Sequence, residues 1–455
     1  MRQKLKAVQH NIDFHGNLAR LQCVGTFVKS SEARCRWGGG LALPAVLLSN
    51  FYNGKAIMNF SYSDSDEIFR AEVRDWVKSN LPKEIANYRH SRPGKKIAMA
   101  WHHILHKKGW SAWHWPREYG GPGWTPMQRY IFETEMYAAG APELIFQSTV
   151  LAGPLIYTFG TPQQKEKYLS RILAGDDLWC QGFSEPAAGS DLTHLLTRAK
   201  PEGDHYVING SKIWTSGAHY ADMGFFLLRT DPEQKGGRGL SLIVVDMKTP
   251  GITVRPIVSI DGVRHLNEVF LTDVRVPREN LIGQENKGWD YARWLLTNER
   301  TGSSFIYWSK QRLKRARQIA QHEMLGGKPL CEDTEFMRRF ARAEALLIAH
   351  EWTVLRVLCE EKSEYADAAV ASVLKIRGAQ LQQLVTELSL DVLGPRSLRY
   401  FDRDVDQSGG YEESSEWPEY ARGVTGAYLM GRAATIYGGA AQIQRSLIAR
   451  VAFGL

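Results

Sequence analysis

Two stretches rich in small residues and hydroxyls, each with one indole, lie close together in this sequence. The first is WCQGFSEPAAGSDL, residues 179–192; the second, soon after, is NGSKIWTSGAHYAD, residues 209–222. Small or hydroxyl-bearing residues such as Ser184, Ala187, Ala188, Gly189 and Ser190 let a backbone approach a flat or phosphorylated ligand and offer donors to it. Trp214, followed by Thr215 and Ser216, sets an aromatic plane beside a hydroxyl. Taken singly, each of these is equally well a turn or a packed tryptophan.

A site of this kind also needs a base. On a helix beginning near Gly288, a rotation of about 100° per residue gathers Ala292, Leu295, Leu296, Glu299, Ser303 and Ile306 into a stripe about 100° wide. The stripe is small to apolar with one carboxylate in its middle, so Glu299 is expected to be buried. Two accounts stand: an ion pair with an Arg of a neighbouring helix, or an apolar pocket that lifts the carboxyl toward the working range of a base.

Three blocks of pattern position these residues. From Met58 to about 175 the period is helical, as in DEIFRAEVRDWVKSNL and PQQKEKYLSRILAG, with a capping Ser/Asp cluster at the start. Between 176 and 285 the period is two, in the runs HYVINGSKIW, GFFLLRT, LSLIVVDM, ITVRPIV and NEVFLTDVRVP. From Lys287 helical spacing returns in long segments, the first being GWDYARWLLTNERTGSSFIYWSKQRLKRARQIAQH. The expected fold is α+β: a helical domain at 58–175, a β-domain at 176–285 and a second helical domain at 286–455. The stretch 402–420, DRDVDQSGGYEESSEWPEY, reads as a solvated loop.

The net charge of +8 is concentrated at one end: residues 1–57 hold eight Lys/Arg against two Asp/Glu. The rest of the chain is nearly neutral, which disfavours a nucleic-acid partner. Residues 1–57 have no clear period and read as an over-extended start or as an organelle-targeting leader, with Met58 the natural start. A cytoplasmic location goes with the first reading, and the mitochondrial matrix with the second. The longest apolar run, LALPAVLL, is too short for a membrane span. Cys23, Cys35, Cys180, Cys331 and Cys359 form no CxxC and no metal-ligand spacing, so no metal is expected.

Taken together and in order, the motifs resemble the acyl-CoA dehydrogenases. The resemblance runs from Met58 nearly to the end: the Trp-rich segment at 109–121, FGTPQQKEKYL, GFSEP and AGSDL, VINGSKIWTS, FLTDVRVPRENLIG and IYGGAAQIQR at 436–445. WCQGFSEP, NKGWDYARWLLTNERTG and the LGP element are most similar to the pimeloyl-CoA dehydrogenase large-subunit type. The resemblance implies FAD, an acyl-CoA substrate dehydrogenated at Cα–Cβ, and electrons passed to an electron-transfer flavoprotein. Carried over by position, Gln181, Phe183, Ser184, Trp214, Thr215, Ser216 and Gln442 contact the flavin. Gly189 and Ser190 lie near the pyrophosphate and CoA, and Arg300, Gly438, Gly439 and Arg450 serve the substrate.

Several positions depart from the family. Gly438 stands where the common motif has its catalytic Glu, although its backbone N–H can still face the thioester oxygen. Isovaleryl- and long-chain members take their base from the Glu-Arg position of the helix after the β-domain, which here is Glu299 and Arg300. The segments that family members lend to a neighbour's FAD read RQIAQHEMLGGKPL and LGPRS. Hence the expected assembly is with a homologous partner subunit, as a heterodimer or α2β2. The rival readings are a non-catalytic scaffold subunit and an acyl-CoA or nitroalkane oxidase on the same fold.

Overall fold

The computed structural model describes residues 62–86, 94–142, 145–302, 305–359, 368–398, 418–421 and 423–454. The leader 1–57, all but the last residues of the polar stretch 402–420, and the side chains of Glu299, Arg300 and Ser303 lie outside the description. Helix α1, Asp64–Asn80, opens where the Ser/Asp cluster predicts: Asp66 N donates to Ser63 Oγ at 3.2 Å, and three acidic residues sit in the first turn. Its buried residues Phe69, Val73 and Val77 repeat every fourth position. Then come α2 (Lys83–Ala86), α3 (Lys95–Lys108), α4 (Pro126–Ala138), a π-helical turn at Gln147–Ala152, α5 (Gly153–Phe159) and α6 (Pro162–Ala174). Thr125 and Thr161 open α4 and α6 with reciprocal caps from Gln128 and Gln164, each followed by proline in the first turn.

The middle of the chain is an eight-stranded mixed sheet. Its strands are β1 (Trp179–Gly182), β2 (Arg198–Glu202), β3 (His205–Lys212), β4 (Met223–Arg229), β5 (Leu240–Asp246), β6 (Ile252–Ile257), β7 (Leu266–Pro277) and β8 (Leu281–Ile282). They run in the order β6-β7-β3-β2-β4-β5-β8, with β1 parallel to β4. The five alternating runs of the sequence are all strands. β4 is apolar on both faces: Phe225 and Leu227 pack on one core cluster, Phe226 and Leu228 on another.

Helices return as α7 (Gly288–Gly302), α8 (Ile306–Ala320), α9 (Thr334–Cys359), α10 (Ala368–Leu393), α11 (Val424–Gly431) and α12 (Ala441–Phe453). One expectation is corrected here. The segment after Lys287 is two helices, because Phe305 sits at φ +48°, a left-handed conformation that no α-helix continues through. Ile306 therefore does not extend the Glu299 stripe, and Ser303 lies outside the described residues; the described part of the stripe is Ala292 and Leu295, both buried, and Leu296, partly buried.

The core cluster that matters for function draws on all three parts of the chain. Trp115, Leu151, Phe183, Leu227, Ala292 and Leu295 pack together. Hydrophobic burial at this junction fixes α7 and the π-turn against the strand that carries Gln181.

Candidate active site

The loop after β1 is held from beneath by a buried ion pair. Lys212 has no exposed surface, and its Nζ donates to Phe183 O at 3.2 Å, Leu227 O at 2.6 Å and Glu185 Oε1 at 2.8 Å. The Glu185 carboxylate also accepts from Leu196 N at 2.6 Å and Thr197 N at 2.9 Å. Burial pulls the Lys212 ammonium down to about 8, with Glu185 opposing the fall, so the pair stays charged at neutrality. Sequence reading missed both residues, although a Lys beside an apolar strand run is a readable oddity.

The same framework joins the two motifs. Ile213 N donates to Ser184 O at 2.9 Å, and Glu185 and Ala188 exchange backbone bonds across a tight turn. Beyond that turn Gly189 and Ser190 are exposed, and a Cβ built on Gly189 would meet nothing within 4 Å. Phe183 is buried against Phe225, edge to face, whereas the buried Gln181 Nε2 has no partner.

Trp214 is 55% exposed and has φ +61°, a region that bulky residues avoid. It is held there from the next residue: Thr215 N donates to Asn267 O at 3.0 Å, and Asn267 Nδ2 donates back to Thr215 O at 2.8 Å. Thr215 is buried with its Oγ1 unpartnered, and Ser216 is partly exposed beside it. An exposed indole in a strained backbone, next to an orphaned hydroxyl, is a surface shaped for something flat and polar-edged. These residues fit a flavin ring.

The remaining predicted residues lie elsewhere in the fold. Glu299 and Arg300 are in the last turn of α7. Gly438 and Gly439 precede α12 with φ +63° and +94°, a turn for which the missing Cβ is required. Gln442 and Arg450 are exposed on α12. Gln444, two positions further, is fully buried with neither end of its amide bonded. It faces inward where Gln442 faces out, since two residues turn a helix by about 200°.

The π-turn closes the wall between β1 and α7. Pro154 has no N–H, so the preceding turn widens, and Gly153 N bonds back to Ser148 O. Trp179 N donates to Ser148 Oγ at 3.0 Å, tying the turn to β1, and Trp115 Nε1 donates to Thr149 O at 2.7 Å. A Cβ on Gly153 would lie 1.8 Å from the Trp115 ring, so the wall depends on glycine there.

The two segments expected to serve a neighbour bind each other. Glu323 Oε1 accepts from Arg396 Nη1 at 3.0 Å and from Tyr420 Oη at 2.9 Å. Arg396 belongs to the LGPRS element, and Glu323 to the RQIAQHEMLGGKPL segment.

Three acyl-CoA dehydrogenase family models match in succession: the N-terminal domain over 63–176, the middle domain over 180–274 and the C-terminal domain over 286–453. The chain belongs to the acyl-CoA dehydrogenase family and is an oxidoreductase of that type. It is 35% identical over 407 residues to acyl-CoA dehydrogenase IpdE1 of Mycobacterium tuberculosis, covering 86% of this chain and 97% of that protein. Acyl-CoA dehydrogenase FadE26 of the same organism is 31% identical over 419 residues, 88% of this chain and 99% of that one. Among solved structures, a chain of the ChsE4-ChsE5 complex from Mycobacterium tuberculosis superposes with a TM-score of 0.75 at 30% identity, over 88% of this chain and 99% of its own. A chain of the Tcur3481-Tcur3483 steroid ACAD gives 0.74 at 28% identity with the same coverage.

Proposed function

We propose that this chain dehydrogenates an acyl-CoA thioester between Cα and Cβ, with FAD as its cofactor and an electron-transfer flavoprotein as acceptor. The observation that carries the reading is Trp214, exposed and held in left-handed backbone next to Thr215, whose buried hydroxyl is unpartnered. FAD, when bound, supplies the hydride acceptor for Cβ. Gln181, Phe183, Ser184, Trp214, Thr215, Ser216 and Gln442 would hold it, with Gly189 and Ser190 toward pyrophosphate and CoA.

Glu299 takes the proton from Cα, because Gly438 has no carboxylate to do so. The Gly438 N–H donates to the thioester oxygen beside Gly439, where negative charge develops. Arg300 and Arg450 contact CoA. The apolar wall of Leu151, Phe183 and Leu295 keeps water from the carbanion-like species. The test is Glu299→Gln, which keeps shape but not basicity: turnover should fall roughly 10²-fold with flavin still bound. Near-normal turnover, or a purified protein without flavin absorbance, refutes the assignment. The substrate panel includes pimeloyl-CoA and a steroid-derived acyl-CoA, since one structural neighbour is titled a steroid ACAD.

A heteromeric assembly is the second part of the proposal, supported by the Glu323–Arg396 pair. An acidic residue paired within its own chain is a poor lender to a neighbour's FAD phosphates. Two of the neighbours above are titled as two-component proteins, ChsE4-ChsE5 and Tcur3481-Tcur3483. Mass measurement and flavin stoichiometry on the protein expressed alone decide it. An active homo-oligomer with one FAD per chain excludes the heterodimer and the α2β2 form.

A further inference from the structure

The turn that carries Gly438 is held from α10. The N–H groups of Gly438 and Gly439 meet no backbone acceptor among the described residues, and Ala440 opens α12 without a side-chain cap. The turn therefore takes its position from residues 431–437, which α10 side chains clamp at two points. At the first, Gln383 Nε2 donates to Gly431 O at 3.4 Å and Arg432 O at 3.1 Å. Arg432 answers with bonds to Thr386 Oγ1 at 3.2 Å and Glu387 Oε1 at 2.6 Å. At the second, Lys375, only 2% exposed, donates from Nζ to Ala434 O at 3.0 Å and lies 4.8 Å from the centre of the Tyr437 ring.

Tyr437 is the residue directly before Gly438, and its N–H shares the Ala433 carbonyl with that of Ile436, at 3.1 and 2.9 Å. Lys375 thus touches both ends of the segment that aims the Gly438 N–H. Desolvating an ammonium offsets most of what its bonds return, so a buried lysine here contributes direction more than stability. It holds a carbonyl and a ring face at fixed distances from α10. The same helix packs against α7, the helix of Glu299, and against the Arg432–Thr435 turn. One helix therefore sets the frame for both segments.

Resting on the acyl-CoA reading, we propose that Lys375, with Gln383 at the far end of the same segment, is a positioning residue that aims the Gly438 N–H at the thioester oxygen. Negative charge gathers on that oxygen as the Cα proton leaves. A misdirected donor therefore slows turnover more than it weakens binding.

The experiment reads the thioester carbonyl directly, by infrared difference spectroscopy on the flavin-loaded protein in its active assembly. The probe is the β-thia analogue of the acyl-CoA turned over fastest, isotope-labelled at the carbonyl carbon; sulfur at the β position leaves no hydride to transfer. In the unaltered protein the carbonyl band should move to lower frequency on binding, as a hydrogen bond to the oxygen requires. Lys375→Met should lose at least roughly half of that shift, and turnover should fall roughly 10-fold or more with KM within about threefold and flavin absorbance retained. Gln383→Leu should move both readouts in the same direction by less. A folded Lys375→Met protein with the full carbonyl shift, whether or not turnover falls, overturns the positioning role, since loss of packing alone would leave the carbonyl unmoved. If Lys375→Met does not fold, Gln383→Leu is judged by the same two readouts. A carbonyl band that does not move in the unaltered protein overturns the Gly438 contact, and failure of every acyl-CoA to bind overturns the acyl-CoA reading and this one with it.

Discussion

Two polar clusters on this chain have opposite finish. Around Trp214 the structure leaves buried donors and acceptors open: Thr215 Oγ1 and Gln181 Nε2 bond to nothing. Around Glu323 every partner is supplied from within: Arg396 and Tyr420 both bond the carboxylate, and the His322 ring stacks on Tyr420 at 5.1 Å. The first arrangement leaves groups that a ligand or an ordered water can complete. The second is complete as it stands. On the proposed reading, the contrast separates the flavin side this chain would use from the segments it would not lend.

The largest expected effect breaks the support under the open side. Lys212→Met removes the cation and leaves Glu185 buried against two backbone N–H groups, which should destabilise the fold by about 3 kcal/mol or more, read by urea unfolding. Adding Glu185→Gln should recover part of that loss. No recovery would mean that the carbonyl bonds of Lys212, and not the charge pair, hold the loop.

Next in size is a pH effect at Glu133, which accepts from Trp113 Nε1 at 2.9 Å. Glu133 is raised in the folded state, so the unfolded chain releases its proton first. Stability from this group is unimpaired below about 4.5, falls as pH rises toward about 7, and levels off above. Glu133→Gln should flatten that slope and raise stability at pH 8 by up to roughly 3 kcal/mol. A Gln variant with the wild-type pH slope would show that the carboxyl is not desolvated. His102 contributes the opposite slope: buried, with Nε2 donating to Leu173 O at 2.9 Å, it is held down to about 4 and costs stability as pH falls from 6.5 toward that value.

Trp214→Gly sharpens the contrast itself. The ring is mostly exposed and the backbone strained, so the apo-protein should gain about 1 kcal/mol in stability while FAD affinity falls. A loss of stability with unchanged flavin binding would make Trp214 a packing residue. The smallest effect belongs to the closed side. Arg396→Ala breaks a pair whose arginine is 54% exposed, so it should cost under about 1 kcal/mol and leave flavin on the Trp214 side unaffected.

Much of the architecture was legible because it is local. Ser63, the five alternating runs and the GFSEP and SKIWTS stretches act on residues a few positions away, through caps, pleat and close backbone approach. The break at Phe305 went unread although Gly302, Ser303 and Ser304 offered a stop signal, because the apolar spacing runs across it. Gln444 was passed over for Gln442 since both lie in one motif and only packing says which faces in.

The sequence by itself determined the order of helices, strands and helices and the family, for each is set by periodicity or by neighbours in the chain. The tertiary structure alone decided which polar atoms are satisfied. Lys212 meets Phe183, Glu185 and Leu227 from separate segments, Trp113 reaches Glu133, and Arg396 reaches Glu323 across 73 residues. Desolvation and hydrogen-bond completion depend on what packs around an atom, and that is settled only when distant segments meet.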